Sequence, residues 1–367
     1  MARHASVFEM TKKEDRRLRV GVLGCGQIAQ AAHFESCTKA RNVDLYAICD
    51  VATDLVGHMA AIHKPARTYS SYEAMLADPD LEAVIIATSD AFHVSASIEA
   101  LNAGKHVLCE KPIAVGVEEV EKLRAVVEAT QLVLQVGHMK RFDSGLQAAK
   151  RFVESELGAM LAFKAWYCDS IQRYTVTDAV QPLIVHSALS RKAPGNPKAD
   201  LARYCMLAHG SHLLDTARYL AGGIVEVDAR LREQLGALCW FVNVAFASGA
   251  LGHLELTIPV RMDWHEGFHL HGQKGSVVAK TYNPWLFKSS DVDIFRERDL
   301  TTTRVLGADG HFFRRQVEAF AAAIMDGDSV TGADIHDGVA SVRGMAAIAE
   351  SVRTGRSVRL ADVSGML

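Results

Sequence analysis

Leu18-Arg19-Val20-Gly21-Val22-Leu23-Gly24-Cys25-Gly26-Gln27-Ile28-Ala29 is the stretch on which the reading of this chain turns. Arg19–Leu23 has the continuous apolar character of a strand buried on both faces, and Ile28–Ala40 continues as a helix. Between them Gly24 permits a tight turn, Gly26 lets backbone approach a pyrophosphate, and the small Ala29 lets the helix lie close to the sheet. Backbone amides of Cys25, Gln27 and Ile28, at the helix start, are placed to hold phosphates. The next apolar run, Val43–Ile48, is closed by Asp50, 24 positions after Gly26, the distance expected of a ribose-binding carboxylate. An acid there accepts hydrogen bonds from ribose hydroxyls and repels a 2′-phosphate. The pattern therefore predicts a dinucleotide site that takes NAD in preference to NADP, a preference that a nearby Arg or Lys can reverse.

Outward from this turn the chain alternates strand and helix. Further strands are predicted at Ala83–Ala87, His106–Cys109 and Leu132–Val136, with helices at Ser71–Leu76, Val94–Asn102 and Val117–Ala129. Such alternation specifies a doubly wound parallel sheet of the Rossmann type, which binds ligands beyond the carboxyl ends of its strands. After Gly145 the pattern changes. A helix at Leu146–Glu156 and a strand near Leu161–Tyr167 lead into a long connection, Asp169–Ala199, and then to a helix over Asp200–Leu220. Val225–Leu231, Leu238–Phe246, Ala250–Ile258 and Phe268–His271 alternate more weakly and predict a largely antiparallel open sheet. Two late helices, near Phe312–Met325 and Gly338–Arg353, complete an α/β second domain. The expected division is a flexible tail over 1–17, a nucleotide-binding domain over 18–143, and a substrate-binding and oligomerisation domain over 144–367.

Composition narrows the function classes. A chain of 367 residues that is 49% hydrophobic fills two cores. Its 40 basic and 43 acidic residues leave a net charge of -3 and no basic field for nucleic acid. No apolar run is long enough to cross a bilayer, and Met1–Arg17 has no signal-peptide core, so a cytoplasmic protein is expected. Seven scattered cysteines show neither metal spacing nor a disulfide framework.

Chemistry is expected at strand ends. His106–Cys109 runs into Glu110-Lys111-Pro112, where Pro112 fixes the backbone and aims the Lys111 ammonium into the interdomain cleft. An ammonium there can exchange a proton with a substrate oxygen while hydride moves to or from a nicotinamide. Trp264 and His265 offer a stacking surface and a hydrogen bond for a sugar ring. His269 and His271 share one face of a strand, but with His253 they lack the carboxylate spacing of a metal site, and no metal is expected. His138 is placed to reach the cleft, Lys140, Arg141 and Asp143 read as a solvated corner, and Asp169, Arg173, Tyr174 and His186 are possible polar contacts from the long connection.

Taken together, Gly24–Ala29, Asp50, Ala87-Thr88-Ser89-Asp90 with His93, Glu110-Lys111-Pro112, Gly137–Asp143, Gly210–Asp215 and Gly272–Ser276 resemble the glucose-fructose oxidoreductase and inositol dehydrogenase family, Gfo/Idh/MocA. The resemblance covers nearly the whole chain after the tail. It implies an NAD(P)-dependent enzyme acting on a sugar, cyclitol or related polyol or keto compound, assembled as a homodimer or homotetramer. It places Gly24, Cys25, Gly26, Gln27, Ile28, Asp50, Thr88, Ser89, His93, Glu110 and Lys111 around the cofactor, to which the strand-end position adds His138. Lys111 and His212 would carry the chemistry, and His138, Trp264 and His265 would meet substrate. The family's aspartate four residues before that histidine is here Ala208, and His209, on nearly the same helical face, is the expected substitute. Two alternatives follow from the same family: a glycosidase or lyase with transient redox chemistry, and a non-catalytic dinucleotide-binding sensor.

Overall fold

A computed structural model describes residues 16–170, 183–191, 195–196, 198–307 and 310–365. The tail up to residue 15, together with Arg173 and Tyr174, lies outside the described residues. The first domain is a six-stranded sheet in the order β3-β2-β1-β4-β5-β6, parallel throughout. Its strands are β1 (Leu18–Leu23), β2 (Val43–Cys49), β3 (Arg67–Tyr69), β4 (Ala83–Ile86), β5 (His106–Cys109) and β6 (Leu134–Val136). The helix after the glycine turn opens as a π-helical turn, Ala29–His33, before settling into α1 (Phe34–Lys39). Helices α2 (Thr53–His63), α3 (Tyr72–Leu76), α4 (His93–Asn102) and α5 (Val117–Thr130) make the crossovers. α2 and β3 escape the sequence pattern because α2 buries only Leu55, Val56 and Met59, and no residue of β3 is buried.

The second domain is a mixed, mostly antiparallel sheet in the order β14-β13-β12-β11-β7-β10-β9-β8-β15. Its strands are β7 (Met160–Cys168), β8 (Ile224–Gln234), β9 (Ala237–Phe246), β10 (Leu251–Ile258), β11 (His265–Gly272), β12 (Gly275–Thr281), β13 (Asp291–Arg296), β14 (Thr301–Val305) and β15 (Val358–Arg359). β7 and β10 pair in parallel at the centre. The three strands β12–β14 escape the sequence pattern because Lys280, Asp291, Asp293, Arg296 and Arg304 interrupt their apolar alternation. Inward residues such as Phe163, Phe268, Leu270 and Val277 are essentially fully buried. Helices α6 (Ser144–Ser155), α7 (Leu201–Cys205), α8 (Ser211–Ala221) and α10 (Ile335–Thr354) accompany the sheet, with α6 on β13, α8 on β7 and α10 on β8. The other face carries Phe241, Leu251, Val278 and Phe295, all exposed.

Two features join the domains. Asp143 caps α6 by accepting from the amides of Gly145 and Leu146, and its carboxylate also takes the hydroxyls of Ser289 and Ser290. It is 4% exposed, so the sequence reading of a solvated corner is corrected here. Helix α9 (Phe312–Met325), far along the chain, returns to the first domain and places Val317, Phe320 and Ala321 in the same core as Val20, Val22, Phe34 and Ile48. Among the described residues no helix is long and apolar enough to cross a membrane, and all seven cysteines are unpaired.

Candidate active site

The carboxyl ends of β1, β2, β4 and β5 open onto a cleft of about 780 Å³. Gly24 needs its missing side chain: it has φ +97, and a Cβ there would stand 2.8 Å from the Ala87 carbonyl oxygen. Gly26 faces open space instead, with nothing within 4 Å of where a Cβ would stand, so backbone is presented to whatever fills the cleft. The Asp50 carboxylate accepts the amides of Cys25 at 2.7 Å and Ala52 at 2.8 Å. These bonds tie the glycine turn to the start of α2 and leave lone pairs for a ribose. Cys25 is thereby removed from the cofactor set, since its amide serves Asp50 and its side chain is fully buried beneath the turn. Gly24, Gly26, Gln27, Ile28, Asp50, Thr88, Ser89, His93, Glu110 and Lys111 all line the cleft.

His93 opens α4 and faces two carbonyl oxygens, Pro112 at 2.7 Å from Nδ1 and Thr88 at 3.1 Å from Nε2. Satisfying both requires two donors, hence an imidazolium. Burial opposes that charge, but Cys109 and the two carbonyls outweigh it and carry the ring up to about 9. His93 thus clamps the loop after β4 to the turn after β5. On that turn Glu110 is 5% exposed. One of its oxygens pairs with His33 Nε2 at 2.9 Å, and the other accepts the Lys111 amide at 3.1 Å. The carboxylate is the floor on which the lysine stands.

Lys111 Nζ donates to the Ala208 carbonyl oxygen at 2.9 Å, so the amine bridges the domains. Burial and the neighbouring Lys140 cation lower its pKa, against the pull of Glu110 and Asp90. Ala208 belongs to a π-helical turn, Met206–Gly210, inserted between α7 and α8, a departure from regular helix that recurs at functional sites. His212 stands one turn further on. Burial and the positive surroundings of Lys111 and Lys140 hold its pKa well below the ordinary 6.5, so the ring stays neutral. Tyr167, at the end of β7, stacks on His212 with centroids 6.2 Å apart and 1° between planes, while its hydroxyl lies 3.3 Å from His209 Nδ1. His209 is therefore brought to the site through Tyr167. His138 meets His212 edge-on at 6.4 Å, and its Nδ1 lies 3.8 Å from Asp215. Burial lowers its pKa, with Asp215 opposing.

Several of these residues escape sequence reasoning. Lys140 and Arg141 are each 6% exposed, which overturns the solvated-corner reading for them as well. Lys140 is salt-bridged to Glu266 and lies 4.4 Å over the Tyr167 ring. Arg141 grips Asp215 at 2.7 Å and Asp337 at 2.7 Å. Trp264 joins the group, its indole N–H donating to Glu266 at 3.1 Å and its ring packing against Tyr167. His265 does not. Strand alternation puts it on the opposite face from Glu266, where it stacks on Trp166 at 5.6 Å, so its assignment to the substrate site is corrected. Among the described residues no His, Cys, Asp and Glu cluster could hold a metal ion.

A glycine-turn cleft on a parallel sheet, lined by a half-buried lysine that reaches the second domain, is the site of an oxidoreductase with an NAD-binding fold. Residues 18–138 match the oxidoreductase family, NAD-binding Rossmann fold, and residues 205–360 match its C-terminal alpha/beta domain. The chain belongs to the Gfo/Idh/MocA family. It is 25% identical to the inositol 2-dehydrogenase of Rubrobacter xylanophilus over 355 residues, 93% of each protein. It is 30% identical to the inositol 2-dehydrogenase of Salmonella typhimurium over 179 residues, 46% of this chain and about half (52%) of that one. Its fold is similar to that of a levoglucosan dehydrogenase solved with NADH and L-sorbose, with TM-score 0.78 and 22% identity, covering 94% of this chain and 99% of the other.

Proposed function

We propose that this protein is a dehydrogenase or reductase of a cyclitol, sugar or related polyol or keto compound. The observation that carries the reading is the position of Lys111: it lines the dinucleotide cleft, and its amine reaches the second domain one helical turn from His212. The cleft fits NAD or NADP, with Gly26 backbone for the pyrophosphate, Asp50 for the ribose and Lys111 at the nicotinamide end. Asp50 supports NAD as the preferred form. The cofactor supplies a hydride acceptor or donor at the nicotinamide.

The remaining chemistry is the protein's own. In the oxidation direction a substrate hydroxyl gives its proton to neutral Lys111 Nζ or His212 as the adjacent carbon loses hydride. His209, through Tyr167, positions His212 in place of the missing carboxylate at Ala208. Trp264, Tyr167 and His138 shape the substrate end, and the buried Lys140–Glu266 pair fixes Tyr167 and Trp264. A screen of cyclitols and aldoses with NAD and with NADP is expected to give turnover. In the same assay Lys111→Ala should lower kcat by about 10²-fold or more while changing cofactor affinity little. Full turnover in that variant would remove Lys111 from the proton path.

The open sheet face supports a homodimer or homotetramer, because its exposed Phe241, Leu251 and Val278 form the kind of apolar surface that a second copy covers.

A further inference from the structure

The segment 183–191, which follows β7 in the chain, lies against the first domain. Val185 is clamped at two points by Gln30: its amide donates to Gln30 Oε1 at 2.9 Å, and Gln30 Nε2 donates to its carbonyl at 2.9 Å. The same Nε2 reaches the Cys25 carbonyl at 2.8 Å, so the clamp is continuous with the glycine turn. Two residues on, Ser187 Oγ donates to Asp54 Oδ1 at 2.7 Å, in the first turn of α2. At the far end the Arg191 guanidinium lies 4.3 Å over the Phe92 ring, just after β4. These attachment points sit beyond β1, β2 and β4. In a doubly wound sheet those loops surround the adenosine diphosphate half of a dinucleotide.

The strap also enters the cleft, which Ser190 and Arg191 help to line. Lys111 and Arg191 are the lysine and arginine among the described lining residues, and Asp50, Asp90, Glu99 and Glu110 are its acids. Lys111 is committed to the Ala208 carbonyl. Arg191 is exposed and makes no ion pair with a carboxylate among the described residues. A planar guanidinium on an aromatic face, in the cleft that the glycine turn also lines, suits a phosphate oxygen.

We infer that residues 183–191 form a strap across the dinucleotide, from which Ser190 and Arg191 contact a phosphate of its adenosine end. The inference rests on the cleft being a dinucleotide site. It gives the second domain a direct hold on the cofactor, distinct from its role towards substrate, and slows cofactor release.

The test is direct binding of NADH, NADPH and ADP-ribose by calorimetry, with NADH release followed by stopped-flow fluorescence. Arg191→Ala should weaken all three ligands by about tenfold if the guanidinium meets the diphosphate, or NADPH alone if it meets a 2′-phosphate. Either result supports the strap, and ADP-ribose shows that the loss does not depend on the nicotinamide. Ser187→Ala should speed NADH release several-fold. Both side chains are at the surface, so the variants are expected to fold. Unchanged affinities and release rates in the Arg191→Ala/Ser187→Ala double variant would overturn the strap while leaving the dinucleotide site standing. Failure of the unaltered protein to bind any of the three would overturn both.

Discussion

His212 is buried and Lys111 half-buried, and their surroundings set them different tasks. Lysine ordinarily titrates near 10.5, and burial beside Lys140 lowers that value, so the neutral amine becomes available at a lower pH than in water. His212 is already neutral across the usual range because its pKa lies well below 6.5. The rate of substrate oxidation should therefore rise with pH along a limb lying below 10.5, with no limb near 6.5, as a pH profile of kcat will show. His212→Ala should lower turnover without abolishing that limb. His209→Ala should lower it less, and an unimpaired variant would remove His209 from the mechanism. At this scale the sequence is most legible where function is local: the glycines, Asp50 and Lys111 announce themselves because each stands just past the end of an apolar strand, β1, β2 and β5 in turn. Tyr167, Glu266 and Asp215 give no such signal, because each comes from a different element and gains its partners only through tertiary register. His265 shows the sharpness of that limit, since one step along β11 separates it from Glu266 and sends it to the other face.

At the scale of elements, the parallel sheet is readable because strands buried on both faces are continuously apolar. The second sheet is readable only in part, since β12–β14 carry ions on their outward face. Helix α6 illustrates how one side chain can set an element's place. The Asp143 carboxylate caps it and also holds Ser289 and Ser290. Asp143→Ala would leave the first amides of α6 and two buried serines without their acceptor, at a cost of about 2 kcal/mol or more. Asp143→Asn, which keeps one oxygen, should lose less. Chemical denaturation of the two variants measures the difference directly.

For the whole molecule, the uncovered face of the nine-stranded sheet is the feature that most asks for a partner. Phe241 is 49% and Val278 46% exposed, on strands at either side of the sheet centre. Placing charges there, as in Phe241→Asp/Val278→Asp, should convert an oligomer to monomer in sedimentation velocity while leaving the cleft intact. A monomeric unaltered protein would remove the sheet face as an assembly surface.

Helix α9 has a different consequence. Val317, Phe320 and Ala321 belong to the same core as β1 and β2, although residue 325 follows residue 143 by 182 positions. During synthesis these core side chains therefore follow the nucleotide-binding half by on the order of 10–35 s, at ordinary rates of translation. That half gains the last of its core side chains only once α9 has been made, which ties the moment the dinucleotide site becomes competent to a segment encoded far downstream of it.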